Sequence, residues 1–200
     1  MFIGWLTCIP AVLLPHSLCR STTANAPANR QMPIASVVST NFRKKEKPMY
    51  QLKRLDINEI DLVQPLWEKL NLLHSDLSLN FKTRFRNMSW EKRKAKLVEK
   101  SEEVMIETVI DSQEKIIGYC ISTIDKGNNK TGEIDSIYID ESHRELGLGK
   151  KLINNAIDWL ITKGTTEQKL LVGVGNEKVL DFYKQFNFNL LHIVLQRIDK

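Results

Sequence analysis

The sequence predicts an α/β (α+β) fold, with a mixed, mostly antiparallel central sheet and helices on both faces. Three β-branched runs in mid-chain are joined by short polar turns, the pattern of an antiparallel meander. Two segments of helical period precede them. A glycine turn after the third run opens a long amphipathic helix, and a strand, a short helix and a final apolar run complete the chain.

Two hundred residues at 23.1 kDa suffice for one ordinary domain with a full hydrophobic core. The content of 42% hydrophobic and 26% charged residues describes a globular chain. No apolar stretch approaches the roughly 20 residues of a membrane span, so no membrane partner is expected, and the lone Cys120 of the main body fits a reduced compartment, with a cytoplasmic location expected. The net charge of +5 invites a nucleic-acid reading. Its location argues otherwise: Arg20, Arg30, Arg43, Lys44, Lys45 and Lys47 stand against Glu46 alone. Of 29 basic and 24 acidic residues, 23 of each fall within 50–200, so the folded part is neutral and no nucleic-acid partner is expected. Cys8, Cys19 and Cys120 form no CxxC pair and no cluster with histidine at zinc spacing, so no metal is expected.

Residues 1–48 form a leader that admits three readings: a disordered tail, a targeting segment, or chain upstream of a true start at Met49. Ala24, Asn25 and Ala26 have the small side chains of an export cleavage site, yet no basic residue precedes Arg20. Export or organelle targeting therefore stays open beside the cytoplasmic expectation.

The domain itself spans 50–200. Tyr50 to Leu55 reads as a short strand, and Asp56 caps a helix carrying Leu62, Leu66, Leu70 and Leu73. A second helix starts near Ser89 with Trp90, Lys94, Leu97 and Val98; its alternating charges from Glu91 to Lys96 read as a solvated face. Val104 to Ile110 and Ile116 to Ile124 form a hairpin across Asp111 to Lys115, and Glu133 to Ile139 follows a polar turn. After the glycines, Leu148, Leu152, Ile153, Ala156, Ile157, Leu160 and Ile161 make one apolar helix face that Lys163 and Gly164 end. Lys169 to Val174 reads as a buried strand, Asn176 as the cap of a short helix ending near Phe186, and Leu190 to Ile198 as a last strand able to pair across a homodimer.

The run Arg144, Glu145, Leu146, Gly147, Leu148, Gly149 and Lys150 carries the chemistry. Backbone N–H groups freed by a glycine turn, aimed by a helix N-terminus and flanked by cations, suit a pyrophosphate. It fits the pattern (Arg/Gln)-x-x-Gly-x-(Gly/Ala) at Arg144, Gly147 and Gly149. A second motif runs from Asn176 through Phe182 and Tyr183 to Phe188. It is similar to Asn-x-x-Ala-x-x-Phe-Tyr-x-x-x-Gly-Phe, with Val179 or Leu180 replacing the alanine and Asn187 the glycine.

With that order of elements, these motifs resemble the GNAT superfamily of acetyl-CoA-dependent N-acetyltransferases over about residues 50–200. The resemblance implies transfer of an acetyl group from acetyl-CoA to a primary amine by direct attack in a ternary complex. The acceptor is a small amine, a peptide or a protein. It implies that the strands at Glu133 and Lys169 start side by side and then splay. The backbone of Ile137, Tyr138 and Ile139 would hold the pantetheine arm, Arg144 to Lys150 the pyrophosphate, and Asn176 would border the cofactor. It implies Glu133 as base and Tyr183 as proton donor to the thiolate, with an amine pocket shaped by Leu66 to Trp90. By strict alternation Glu133 shares a face with Asp135, Ile137 and Ile139. An exposed strand-end glutamate and a merely packed tyrosine are the plainer readings. His74 reads as a pocket residue or a solvated helix end, His143 as a neighbour of the phosphate site, and His192 as structural. A non-catalytic acyl-CoA-binding or regulatory module of the same fold is the rival, and an ATP or NAD site is disfavoured because no Gly-x-x-x-x-Gly-Lys-(Ser/Thr) occurs.

Overall fold

The computed structural model describes residues 49–128 and 130–197, and the leader lies outside them. Five strands form one sheet in chain order: β1 Gln51–Leu55, β2 Ser101–Ile110, β3 Ile116–Asp125, β4 Thr131–Ile139 and β5 Glu167–Leu170. The first four pair antiparallel, β2, β3 and β4 through turns of five residues, and β5 joins β4 parallel after a helical crossover. The helices are α1 Gln64–Leu77, α2 Lys82–Arg86, α3 Trp90–Lys100, α4 Leu148–Thr162 and α5 Leu180–Lys184.

The first crossover begins as predicted at Asp56, whose carboxylate accepts from the amide of Asn58 while Glu59 reaches back to the Asp56 amide. This box caps a 3-10 stretch, Ile57–Val63, and Pro65 then opens α1, where a missing N–H costs nothing. Of the leucines, Leu66 and Leu70 are buried and Leu62 is exposed. Ser89 caps α3 by accepting from the amide of Lys92.

Helices cover both faces. Gly132 leaves room for Leu160 of α4, whose side chain stands 2.5 Å from where a Cβ would be, and Glu107 is held by Asn155 of the same helix. Neighbouring Glu133 points the opposite way, to Lys100 of α3. Leu148, Leu152, Ile153 and Leu160 of α4 are all buried, each stabilising by about 1.5–3 kcal/mol. Ile161, expected on that face, is 57% exposed because it falls one position past the stripe.

Three expectations change. The strand expected at Lys169 to Val174 is Glu167–Leu170, where β4 is available to pair. A short helix, α2, lies in a stretch with no helical period in the sequence. Leu190 to Arg197 takes no strand pairing, and its described residues are exposed, His192 included. Ile198 lies outside the described residues. No helix among the described residues is long and apolar enough to cross a membrane.

Candidate active site

β4 pairs with β5 from Thr131 opposite Glu167 to Ile134 opposite Leu170, and there the pairing stops while β4 runs on to Ile139. Its edge beyond Ile134 has no strand beside it among the described residues. The parting coincides with a bulge: Ser122 faces Ile134 and Ile121 faces Ser136, so Asp135 is an extra residue.

That bulge corrects the facing order. Thr123, Ile121 and Tyr119 share one face of β3 and stand opposite Glu133, Ser136 and Tyr138, which therefore share one face of β4. Ile137 and Ile139 turn to the α4 side. Strict alternation fails because one residue is inserted at Asp135.

The bulge is held by charge. Asp135 is fully buried, its carboxylate paired with Arg93 and, at 2.6 Å, with Lys100. Lys100 also reaches Glu133 at 3.4 Å, and Lys169 of β5 lies 4.0 Å from the same oxygen. Burial pushes the Lys100 ammonium below the usual lysine range, against the pull of Glu133. Glu133 is itself buried, and its Oε1 has no hydrogen-bond partner among the described residues. The sequence missed this cluster. Arg93 sits within the charge run read as solvated, yet it is only 4% exposed. The available signal was its spacing: Arg93 lies three residues after Trp90 and four before Leu97, on the buried stripe.

At the far end of β4, Asp140 accepts from Lys69 of α1 at 2.7 Å, and the turn enters α4. Glu145 and Gly147 both adopt positive φ, 65° and 75°. Gly147 is the residue before α4 and has no side chain to cap it, so the first-turn amides of this 15-residue helix have no partner within the helix itself. Nothing lies within 4 Å of where its Cβ would be. Leu148 and Gly149 are buried, while Glu145, Leu146 and Lys150 are exposed. Arg144 folds back: its Nε donates to the Ile139 carbonyl at 3.2 Å and its guanidinium stands 5.6 Å from the centre of the Tyr138 ring. His143 bonds with Ser142 and meets Tyr50 edge-on.

After β5, Gly175 takes φ 92° against the Leu77 carbonyl, and its amide donates to Glu177 at 2.9 Å. The turn into α5 closes by the Val179 amide donating to the Asn176 carbonyl, rather than through an Asn176 side-chain cap. Tyr183 is buried, its ring edge-on to Phe182 and Phe188. Asn187 has φ 65°, so it supplies the left-handed turn that glycine would. His74, read as a pocket residue or solvated helix end, is buried and stacked on Phe85, its pKa lowered by burial to about 4. Within Leu66 to Trp90, the residues Trp67, Glu68, Asn71, Ser75 and Met88 line a groove of about 490 Å³ with Trp90. Among the described residues no group of three or more His, Cys, Asp or Glu is arranged to hold a metal. Burial pushes the Cys120 thiol up to about 12, which leaves it inert.

The profile of the acetyltransferase (GNAT) family matches residues 69–188. An uncharacterized N-acetyltransferase of Methanocaldococcus jannaschii is 36% identical over 74 residues, 37% of this chain and 32% of its own. The match thus spans about a third of that relative. A Bacillus halodurans protein solved as a tetramutant has a TM-score of 0.60 at 17% identity, over 74% of this chain and 99% of its own. AAC(6')-Iy, solved with the bisubstrate analogue CoA-S-monomethyl-acetylneamine, has a TM-score of 0.52 at 12% identity, over 76% and 99%. At these identities the two structures speak for the fold.

Proposed function

This chain belongs to the acetyltransferase (GNAT) family, and on that premise we propose that it transfers an acetyl group from acetyl-CoA to a primary amine by direct attack in a ternary complex. One observation carries the reading: β4 and β5 part after Ile134 and Leu170, on the strand that leads into the Gly147 turn at the start of α4.

The residues present fit the cofactor. The open space beside Gly147 and the uncapped first-turn amides suit a pyrophosphate, with Gly149, Glu145, Leu146, Leu148 and Lys150 bordering it. Arg144 braces the end of β4 in the present arrangement and would add charge by turning outward. The β5-side edge of Ile137, Tyr138 and Ile139, beside which no strand lies among the described residues, suits the pantetheine arm, which would lie there as an added strand once Arg144 releases the Ile139 carbonyl. Asn176 begins the turn that borders it from the β5 side. Acetyl-CoA supplies the acetyl group, activated as a thioester.

The chain's own groups handle protons. An alkylamine has a pKa near 10 and arrives protonated at neutral pH. Glu133 takes that proton, directly or through a water, at Oε1, the oxygen that carries no hydrogen bond. Lys100 at 3.4 Å and Lys169 at 4.0 Å stand beside its other oxygen, so Oε1 is the one left without a cation among the described residues. An ordinary phenol keeps its proton at neutral pH, and Tyr183 gives it to the departing sulfur. A backbone N–H near Ile137 meets the developing oxyanion. The groove of Trp67, Glu68 and Trp90 receives the acceptor, which is a small amine, a peptide or a protein lysine.

A CoA-release screen across these amine classes tests the reading, with Glu133→Gln as control. Release with one class, reduced and altered in pH profile by Glu133→Gln, is expected. Saturable acetyl-CoA binding without transfer to any amine would instead support a binding module.

A further inference from the structure

α3 sends two cations to β4. Arg93 and Lys100 lie about two helical turns apart, with buried Leu97 between them on the same stripe. Arg93 pairs with one oxygen of Asp135, and Lys100 pairs with the other at 2.6 Å. The buried carboxylate of Asp135 therefore has a guanidinium beside it even without Lys100. Lys100 reaches further: its Nζ also lies 3.4 Å from Oε2 of Glu133, so one ammonium spans the bulge residue and the glutamate before it on β4. Its root is well held. Lys100 ends α3, where helix carbonyls favour a cation, the chain passes directly into β2 at Ser101, and the Lys100 carbonyl accepts from the Lys126 amide.

The titratable groups packed around Glu133 are Arg93 and Lys100 from α3, Lys169 from β5, Asp135 on its own strand and the Tyr119 phenol from β3. Lys169 is the weaker neighbour, at 4.0 Å with its side chain 44% exposed against 32% for Lys100. Burial draws the Lys100 ammonium below the usual lysine range; the Glu133 carboxylate opposes this, and Arg93 and Lys169 add to it. The charges of Lys100 and Glu133 thus depend on each other.

We propose that Lys100 is a positioning residue for acetyl transfer: its ammonium, tied to the bulge through Asp135, keeps the buried Glu133 carboxylate charged and so ready for the acceptor's proton. The role rests on the reading of Glu133 as base. A carboxylate removed from water takes up a proton more readily, and an opposite charge close by reverses that by about 1–3 pH units.

The test is the pH profile of turnover at saturating acetyl-CoA and amine, read as CoA release with propylamine, spermidine and a lysine peptide as probes. Wild type is compared with Glu133→Gln, Lys100→Met, Lys100→Gln, Lys100→Arg and Lys169→Met. Lys100→Gln deletes the charge but keeps a donor toward Asp135, so the role stays testable where Met folds poorly. The acid limb is expected to vanish in Glu133→Gln, to move up by about one pH unit or more in Lys100→Met and Lys100→Gln, and to stay in place in Lys100→Arg. Lys169→Met should move it less, because solvent screens the more exposed charge. The acetyl-CoA KM should change less than about 2-fold in the Lys100 variants, since the Gly147 turn lies past the other end of β4. A limb that Glu133→Gln removes but both neutral Lys100 variants leave unmoved overturns the role of Lys100 alone. So does a lower turnover at an unmoved limb, the mark of a purely structural residue, or a shift in Lys169→Met as large as in Lys100→Met. A limb that persists in Glu133→Gln, or no transfer to any probe, overturns the transfer reading and this role with it.

Discussion

Lys100 Nζ lies 2.6 Å from Oδ1 of Asp135, at the residue where β4 bulges and leaves β5. With Arg93 on the other oxygen, α3 pins the point at which the sheet forks.

Removing that carboxylate strands two cations in or near the core. Asp135→Asn is expected to lower stability by about 3–5 kcal/mol, seen as a lower urea midpoint at unchanged slope. Arg93→Met combined with Asp135→Leu should cost less than Asp135→Asn alone, because no unpaired charge then remains at Arg93. A loss below about 1 kcal/mol for Asp135→Asn would mean that water reaches the pair.

Two glycines should separate backbone strain from crowding. Gly164 has φ 77° with open space where a Cβ would go, so Gly164→Ala should cost about 1–2 kcal/mol. At Gly175 the φ is 92° and the Leu77 carbonyl blocks the same position, so Gly175→Ala should cost more, and thermal melts of the two variants give the order.

His74 makes stability depend on pH. Its folded pKa of about 4 lies below its ordinary 6.5 because burial disfavours the charged ring. The unfolded chain therefore binds the extra proton between these values. The contribution is complete above pH 6.5, is lost as pH falls toward 4, and amounts to about 3 kcal/mol. His74→Phe keeps the stack on Phe85 and should remove this slope; parallel curves for the two proteins between pH 7 and 4 would contradict it.

Tyr183→Phe keeps the buried ring and deletes the proton. The turnover number should fall about 10–100-fold while the acetyl-CoA KM stays constant. Unchanged turnover would leave Tyr183 a packing residue, as its contacts with Phe182 and Phe188 also allow.

Periodicity made most of the fold readable. The meander announced itself by β-branched runs, and α4 by its stripe from Leu148 to Leu160. The left-handed turn at Asn187 was legible too, since asparagine alone among the residues around it tolerates that conformation well. What escaped were features set by tertiary partners. The bulge at Asp135 has no local signature, because one inserted residue looks like continued strand until β3 is laid beside it. Arg93 looked solvated because its buried partner is 42 positions away. The run from Leu190 was read as a strand on composition, but among the described residues none of the five strands pairs with it.

Calorimetric titration of acetyl-CoA into the wild type and Gly147→Ala is the most direct test of cofactor binding at the fork. The wild type should bind one molecule per chain, and Gly147→Ala, still folded, should bind at least about 10-fold more weakly because a methyl group occupies the space before α4. No heat from the wild type, or equal affinity in the two proteins, would contradict it.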